Sequence, residues 1–455
     1  WHTLHKGVII LASYVFYSFW SPRLALLLLA SVLLNWMSGE LVEKSRDTRW
    51  RRPVIWLAVA ANLSILGFFK YYGWFAEEMN ALLRSAGLAR EIPLIEVVLP
   101  IGITFFTFQG ISYIVDLHRG ALDRARPLID VMFFISFFPH LVAGPIVRAA
   151  SFLPQLERPP SPGRVFVGLG VLLIVWGVFK KAVVAHWLAV DLVDKVFQDP
   201  AAYGAVDLAA AVYGYAVQIY CDFSAYSDIA IGVAALLGYR FQRNFNQPYR
   251  ARTLADFWRR WHMSLSSWLR DYLYVPLGGN RGGPARTYRN LLLTMLLGGL
   301  WHGAAWKFIV WGALHGGMLG AERFVGQSLA RGRLLAGEPP ASRALWRRAL
   351  AILFIFHFVC FAWIFFRAES MTSATIMLAG LGDTARPVAL LTPFLASLIA
   401  FGLAIQFTPP DMLQRFDRVY RRLPLWLVGL IAGAALLLID LVGGDSTAAF
   451  IYFQF

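Results

Sequence analysis

Charge is scarce in this sequence: only 15% of its 455 residues are Asp, Glu, Lys or Arg, against 58% hydrophobic. So little polar surface cannot solvate one globule, which excludes a water-soluble fold and makes a bilayer the solvent. Cysteine is scarcer still. Cys221 and Cys360 both lie in apolar sequence, so neither a disulfide framework nor a cysteine metal site is indicated. The sequence has no His-x-x-x-His or His-Glu-x-x-His pattern, so no metal is expected, and no Gly-x-Ser-x-Gly elbow for a serine nucleophile. No repeat of about 20 to 50 residues is present. The Pro-rich run Glu157-Arg158-Pro159-Pro160-Ser161-Pro162 reads as a loop between spans. Residues 1–455 are therefore read as one domain. The sequence opens on Trp1, with neither Met nor a signal-peptide pattern, and a few residues or one span are expected upstream.

In place of charge there are long apolar stretches. Residues 7–22, 24–39, 53–69, 97–115, 131–147, 165–179, 349–366, 387–410 and 423–439 contain no Asp, Glu, Lys or Arg. At about 20 apolar residues per spanning helix, we expect roughly 9 to 12 spans. Between residues 290 and 321 the only charge is Lys307. A straight helix of that length would reach roughly 48 Å at 1.5 Å per residue, so it must break, tilt or turn. Asp222 and Asp228 interrupt two short apolar runs between residues 208 and 239, and predict a broken or re-entrant element there.

The net charge of +15 does not mark a nucleic-acid partner, because the basic residues lie between apolar stretches rather than on one arm. Arg46, Arg49, Arg51 and Arg52 follow the second stretch. Arg331, Arg333, Arg343, Arg347 and Arg348 precede residue 349, and Arg415, Arg418, Arg421 and Arg422 precede the last. Positive-inside bias accounts for this pattern. It sends 349–366 outward, 387–410 inward and the last span outward, with Phe455 outside.

The polar residues concentrate between 244 and 317. Within the segment 240–290, apolar and aromatic residues at 254, 257, 258, 261, 265, 268, 269, 272 and 273 recur at helical spacing and predict an amphipathic helix at the cytoplasmic interface. Its polar side carries Arg259, Arg260, Arg270 and Asp271. These arginines read as a positive-inside anchor in membrane lipid. They can at the same time be forks that, with Trp261, hold the phosphates and adenine of coenzyme A. The loop Gly278-Gly279-Asn280-Arg281-Gly282-Gly283 that follows is neither a Walker loop nor a dinucleotide fingerprint.

His302, after Trp301 in Gly299-Leu300-Trp301-His302-Gly303, is an ionisable residue in an apolar stretch, a costly and commonly functional placement. On its residues alone it reads either as a catalytic base or as a satisfied interhelical hydrogen bond. Acyl transfer from a thioester to a hydroxyl needs a base, and neutral imidazole serves near physiological pH. His262 reads as a second histidine that orients the donor or relays a proton. His118, His140, His315 and His357 read as structural. Asp222, Ser224 and Asp228 read either as a hydrogen-bonded knot at a broken helix or as catalytic groups, in both cases facing a wet cavity or tunnel.

Five ordered motifs carry a resemblance: Phe105-Phe106-Thr107-Phe108-Gln109-Gly110-Ile111-Ser112-Tyr113, Phe137-Phe138-Pro139-His140-Leu141-Val142-Ala143-Gly144-Pro145-Ile146, Ile219-Tyr220-Cys221-Asp222-Phe223-Ser224-Ala225-Tyr226-Ser227-Asp228, Phe257-Trp258-Arg259-Arg260-Trp261-His262-Met263-Ser264 and Gly299-Leu300-Trp301-His302-Gly303. Together they resemble the membrane-bound O-acyltransferases, particularly the bacterial branch that includes the membrane subunit of alginate O-acetylation and the D-alanyl transfer protein of teichoic acids. The resemblance implies an all-α polytopic bundle with broken or re-entrant helices around a central tunnel. It implies that His302 matches the family's catalytic histidine and His262 a second functional one. It further implies acetyl-CoA as donor, an exported polysaccharide such as alginate as acceptor, an extracytoplasmic acetyltransferase partner, and the bacterial cytoplasmic (inner) membrane. The ending at residues 448–455 and the loop at 278–281 look like the alginate branch. Peptidoglycan or other glycan O-acetylation and D-alanyl transfer are the alternatives. A transporter using His302, Asp222 and Asp228 and a noncatalytic scaffold are rivals of another class.

Overall fold

The computed structural model describes residues 2–88, 90–160, 167–336, 345–409, 411–420 and 422–443. Arg343, Arg421, Ser161, Pro162 and residues 448–455, all used above, lie outside them. The described residues form helices and connecting turns, with no strand among them. Among the described residues six helices are long and apolar enough to cross a membrane: Pro22–Lys44, Arg51–Ser85, Val167–Gln198, Ala205–Leu236, Leu345–Arg367 and Leu425–Val442. Large apolar side chains on them face outward, among them Trp56, Leu57, Trp426 and Leu437, as expected where lipid is the solvent. The expected 9 to 12 spans exceed this number because other apolar stretches fold as shorter helices, such as His2–Ser18 and Pro393–Ala404. Turns cut them: residues 97–115 yield a helix only from Ile103, after Gly102 in the left-handed region at φ 76°.

The chain packs as two compact units, one of residues 1–167 with 233–242 and one of residues 168–232 with 243–455. In the first, α1 (His2–Ser18) packs on α5 (Leu128–Ser136), and α2 (Pro22–Lys44) lies against α3 (Arg51–Ser85), α4 (Ile103–His118) and α5. Several buried polar side chains inside this unit pair with one another, which offsets the cost of burial. Lys6 Nζ lies 2.5 Å from Asp130, joining α1 to α5. Asn35 and Asn62 exchange amide hydrogen bonds of 3.2 and 3.1 Å between α2 and α3. His140 is buried among Phe134, Phe137 and Phe152, and its Nε2 donates to the Phe134 carbonyl at 3.0 Å.

In the second unit, α6 (Val167–Phe179) continues through two π-helical turns, Lys180–Ala185 and Ala189–Val193, to Gln198. α7 (Ala205–Leu236) is an unbroken helix. The break expected at Asp222 and Asp228 is therefore absent from α7, and the irregularity lies in the π-helical turn that pairs its carboxylates. The expected amphipathic helix over 254–273 is also interrupted. It consists of α8 (Leu254–Trp258), α9 (Met263–Leu269) and a π-helical turn Arg270–Tyr274. Between α8 and α9, His262 adopts φ 41° and ψ 55°, a left-handed conformation that an α-helix cannot contain.

The long stretch at 290–321 turns, as its length required. α10 (Pro284–His302) ends at extended Gly303, and α11 (Trp306–Ala336) returns along it. Glycine permits the close approach: a Cβ on Gly312 of α11 would lie 2.5 Å from the Met295 carbonyl oxygen of α10, and one on Gly299 would collide with the Phe308 carbonyl. α12 (Leu345–Arg367), α13 (Met371–Gly380), α14 (Pro393–Ala404) and α15 (Leu425–Val442) complete the unit.

Candidate active site

His302 is the last residue of α10 and is 5% exposed. The turn at Gly303 brings it beside α11, and α12 supplies a third wall. Its ring centroid lies 4.8 Å from Trp301, 5.2 Å from Trp311 and 5.0 Å from Phe366, each ring steeply tilted to it. Trp311 in turn packs 4.5 Å from His315, whose Nδ1 accepts a 3.2 Å hydrogen bond from Trp258 Nε1. His315 thus ties the end of α8 to α11.

His262 is fully buried and also packs on Trp301, with centroids 5.9 Å apart. Phe223 of α7 stands edge-on to it at 4.6 Å. Its left-handed backbone is held from the segment 244–246: Met263 N donates to the Asn244 carbonyl and Asn246 N to the Arg260 carbonyl, both at 2.8 Å. The Asn244 side chain lies 3.2 Å from His262 Nδ1. His262 lies outside the six long apolar helices, and burial among these rings lowers its pKa, which keeps the imidazole neutral. A strained backbone at a fully buried histidine is the pattern expected of a functional site.

Asp222, Ser224 and Asp228 lie on α7 against the first π-helical turn. Lys181 Nζ is 2.6 Å from Asp222, while Lys180 Nζ is 2.7 Å from Asp228 and 2.6 Å from Ser224 Oγ. Two lysines thus balance two carboxylates in a hydrogen-bonded knot, on a helix that is unbroken. The knot flanks Phe223 on both sides, so it bears on the wall of the His262 site.

The arginines expected to meet a donor separate in the structure. Arg260 lies 3.0 Å from Asp256 Oδ2 and donates to the Asn246 carbonyl, so it braces the turn before His262. Arg259 is 72% exposed with only a 4.0 Å approach to Asp256. Trp261 is buried, stacked on Phe257 and packed against Phe245 and Trp363. The glycine-rich loop is tied to α10 by Asn290 Nδ2, which donates to the carbonyls of Leu277 and Gly279 at 3.1 Å.

Sequence reasoning missed Lys180, Lys181, Asn244, Trp311 and Phe366. A signal existed for the lysines: two positive charges in one apolar stretch and two negative ones in another predict a buried pairing. For Asn244 and the rings no signal exists, because their roles depend on which segments meet.

Comparison with known proteins gives the family. Residues 118–336, which hold both histidines and the lysine–carboxylate knot, match the pattern of the membrane-bound O-acyltransferase family, MBOAT. The chain is 40% identical over 377 residues to a probable alginate O-acetylase AlgI of Azotobacter vinelandii, covering 82% of this chain and 72% of that protein. It is 34% identical over 399 residues to the peptidoglycan O-acetyltransferase of Helicobacter pylori, covering 82% and 73%. Against the teichoic acid D-alanyltransferase of Bacillus subtilis it is 29% identical over 280 residues, covering 59% and 69%. With six helices among the described residues long and apolar enough to cross a membrane, and with these relatives, the chain is an integral membrane O-acyltransferase and belongs to the membrane-bound O-acyltransferase family.

Proposed function

We propose that the enzyme moves acetyl groups from cytoplasmic acetyl-CoA toward hydroxyls of an exported polysaccharide of the alginate kind, with an extracytoplasmic acetyltransferase partner completing delivery. The observation that carries the reading is the joining of two buried imidazoles, His302 and His262, through the single indole of Trp301. The alginate O-acetylase relatives favour acetyl over D-alanyl transfer. The Helicobacter relative gives peptidoglycan as the second acceptor to test.

In this mechanism donor and acceptor meet at His302 along a tunnel from opposite faces of the inner membrane. His302 takes the proton from an acceptor hydroxyl as that oxygen attacks the thioester carbonyl carbon. The carbon–sulfur bond then breaks, and the thiolate recovers a proton from His302. The indole and phenyl rings around His302 exclude water, so attack by water competes poorly. Arg259 contributes to binding the phosphates of the donor.

The test is acetyl transfer by the protein in lipid nanodiscs, with labelled acetyl-CoA and either polysaccharide fragments or water as acceptor. His302→Gln keeps size and hydrogen bonding but cannot serve as base, so turnover should fall by about 10²- to 10⁴-fold with donor affinity retained. Equal turnover in the two proteins would remove His302 from the chemistry.

A further inference from the structure

We infer that Asn244 is a positioning residue that locks His262 as the Nδ1–H tautomer, so that His262 acts through a bare Nε2 as a hydrogen-bond acceptor. The orientation of the Asn244 amide is fixed by groups whose roles are unambiguous. The backbone N–H of Ser264, which can only donate, lies 3.2 Å from Asn244 Oδ1, and Ser264 Oγ donates to the same oxygen at 2.8 Å. On the other side, Asn244 Nδ2 donates to Ser227 Oγ of α7 at 2.9 Å. A flipped amide would set Nδ2 against the Ser264 N–H, donor against donor. The atom facing His262 Nδ1 at 3.2 Å is therefore a carbonyl oxygen, and Ser264 Oγ, 3.3 Å from Nδ1, gives its hydrogen to that same oxygen over the shorter 2.8 Å contact, so Nδ1 carries its own hydrogen.

A neutral imidazole has one N–H, so Nε2 holds a lone pair. That atom is fully buried and has no hydrogen-bond partner among the described residues. Leaving a buried polar atom unsatisfied carries a penalty, and the left-handed backbone at His262 adds strain. Both are tolerated where a ligand supplies the missing partner. The tautomer also decides what His262 can do. Polarising a thioester carbonyl requires an N–H, which Nε2 lacks. Receiving a hydrogen bond from a substrate O–H or amide N–H requires the lone pair, which it has. The anchor of Asn244 is Ser227, beside Asp228, so the Lys180 pairing steadies the same network.

The role of His262 toward substrate rests on the proposed acetyl transfer, whereas its tautomer does not, and the experiment reads them separately. ¹⁵N-histidine NMR of the whole protein in lipid at neutral pH, with His262 assigned by its loss in His262→Gln, should show a protonated Nδ1 and an unprotonated Nε2. A protonated Nε2 overturns the inference without any mutation. Asn244→Asp keeps an acceptor facing Nδ1 and should preserve the tautomer and most of the turnover. Asn244→Leu should give mixed tautomers and lower kcat by about tenfold or more, with the donor KM nearly unchanged. Unaltered kcat in a folded Asn244→Leu protein overturns the positioning role. A correct tautomer in a protein that transfers no acetyl group supports the lock and defeats the proposed function instead.

Discussion

Arg259 and Arg260 are neighbours in sequence with different surroundings, and that difference makes their proposed roles separable. Arg260 is engaged by Asp256 and the Asn246 carbonyl, whereas Arg259 extends outward. Arg259→Ala should raise the KM for acetyl-CoA while leaving kcat nearly unchanged, since a phosphate contact binds ground and transition states alike. One charged hydrogen bond is worth about 1.5–3 kcal/mol, or roughly 10- to 150-fold in KM. Arg260→Ala should lower kcat as well, because it loosens the turn that carries His262. Steady-state kinetics of the two variants decide the matter; an unchanged KM for Arg259→Ala leaves that residue as a membrane anchor only.

Among the elements, α7 and the π-helical turn after α6 are held together by charge. Lys180 is 1% exposed, so Lys180→Met strands Asp228 in a poorly solvated place, at a cost of about 3–5 kcal/mol. Thermal unfolding in detergent should show a large drop in Tm, and Lys180→Met with Asp228→Leu should recover much of it. Equal loss in the single and double variants would deny the pairing. These elements also mark how far the sequence is legible. Chain length alone required the turn between α10 and α11, and His302 was visible as a polar residue in apolar surroundings. The continuity of α7 was not visible, because the partners that make its carboxylates tolerable lie some forty positions away in sequence. Helical periodicity over 254–273 was real but blind to Asn244, whose contacts hold His262 out of the helix.

At the scale of the whole molecule the proposed reaction has a direction. The positive-inside rule is expected to put the basic residues flanking the last spans on the cytoplasmic side, and the proposed tunnel brings donor and acceptor to His302 from opposite faces. Proteoliposomes should therefore turn over with acetyl-CoA on the face that carries Arg347 and Arg348 and acceptor on the other. Labelled acetyl should accumulate with the acceptor while CoA remains with the donor. Product formed only when both substrates share one face would contradict through-membrane transfer, even with His302 as the base.

The lysine–carboxylate knot also bears on how the protein enters its membrane. A lone spanning helix carries a penalty of about 2.5–3.5 kcal/mol for each Lys or Asp near its centre. The segment Val167–Gln198 holds Lys180 and Lys181, and Ala205–Leu236 holds Asp222 and Asp228. Neither leaves the translocon cheaply by itself, but as a hairpin the two lysines and two aspartates of the knot neutralise one another. Biogenesis should thus release them as a pair. In an in vitro insertion assay with glycosylation reporters, a nascent chain ending at residue 204 should integrate its last segment poorly, and one ending at residue 238 should integrate both. The order of synthesis would then be part of the fold, with the first segment waiting at the translocon until its counter-charges emerge from the ribosome.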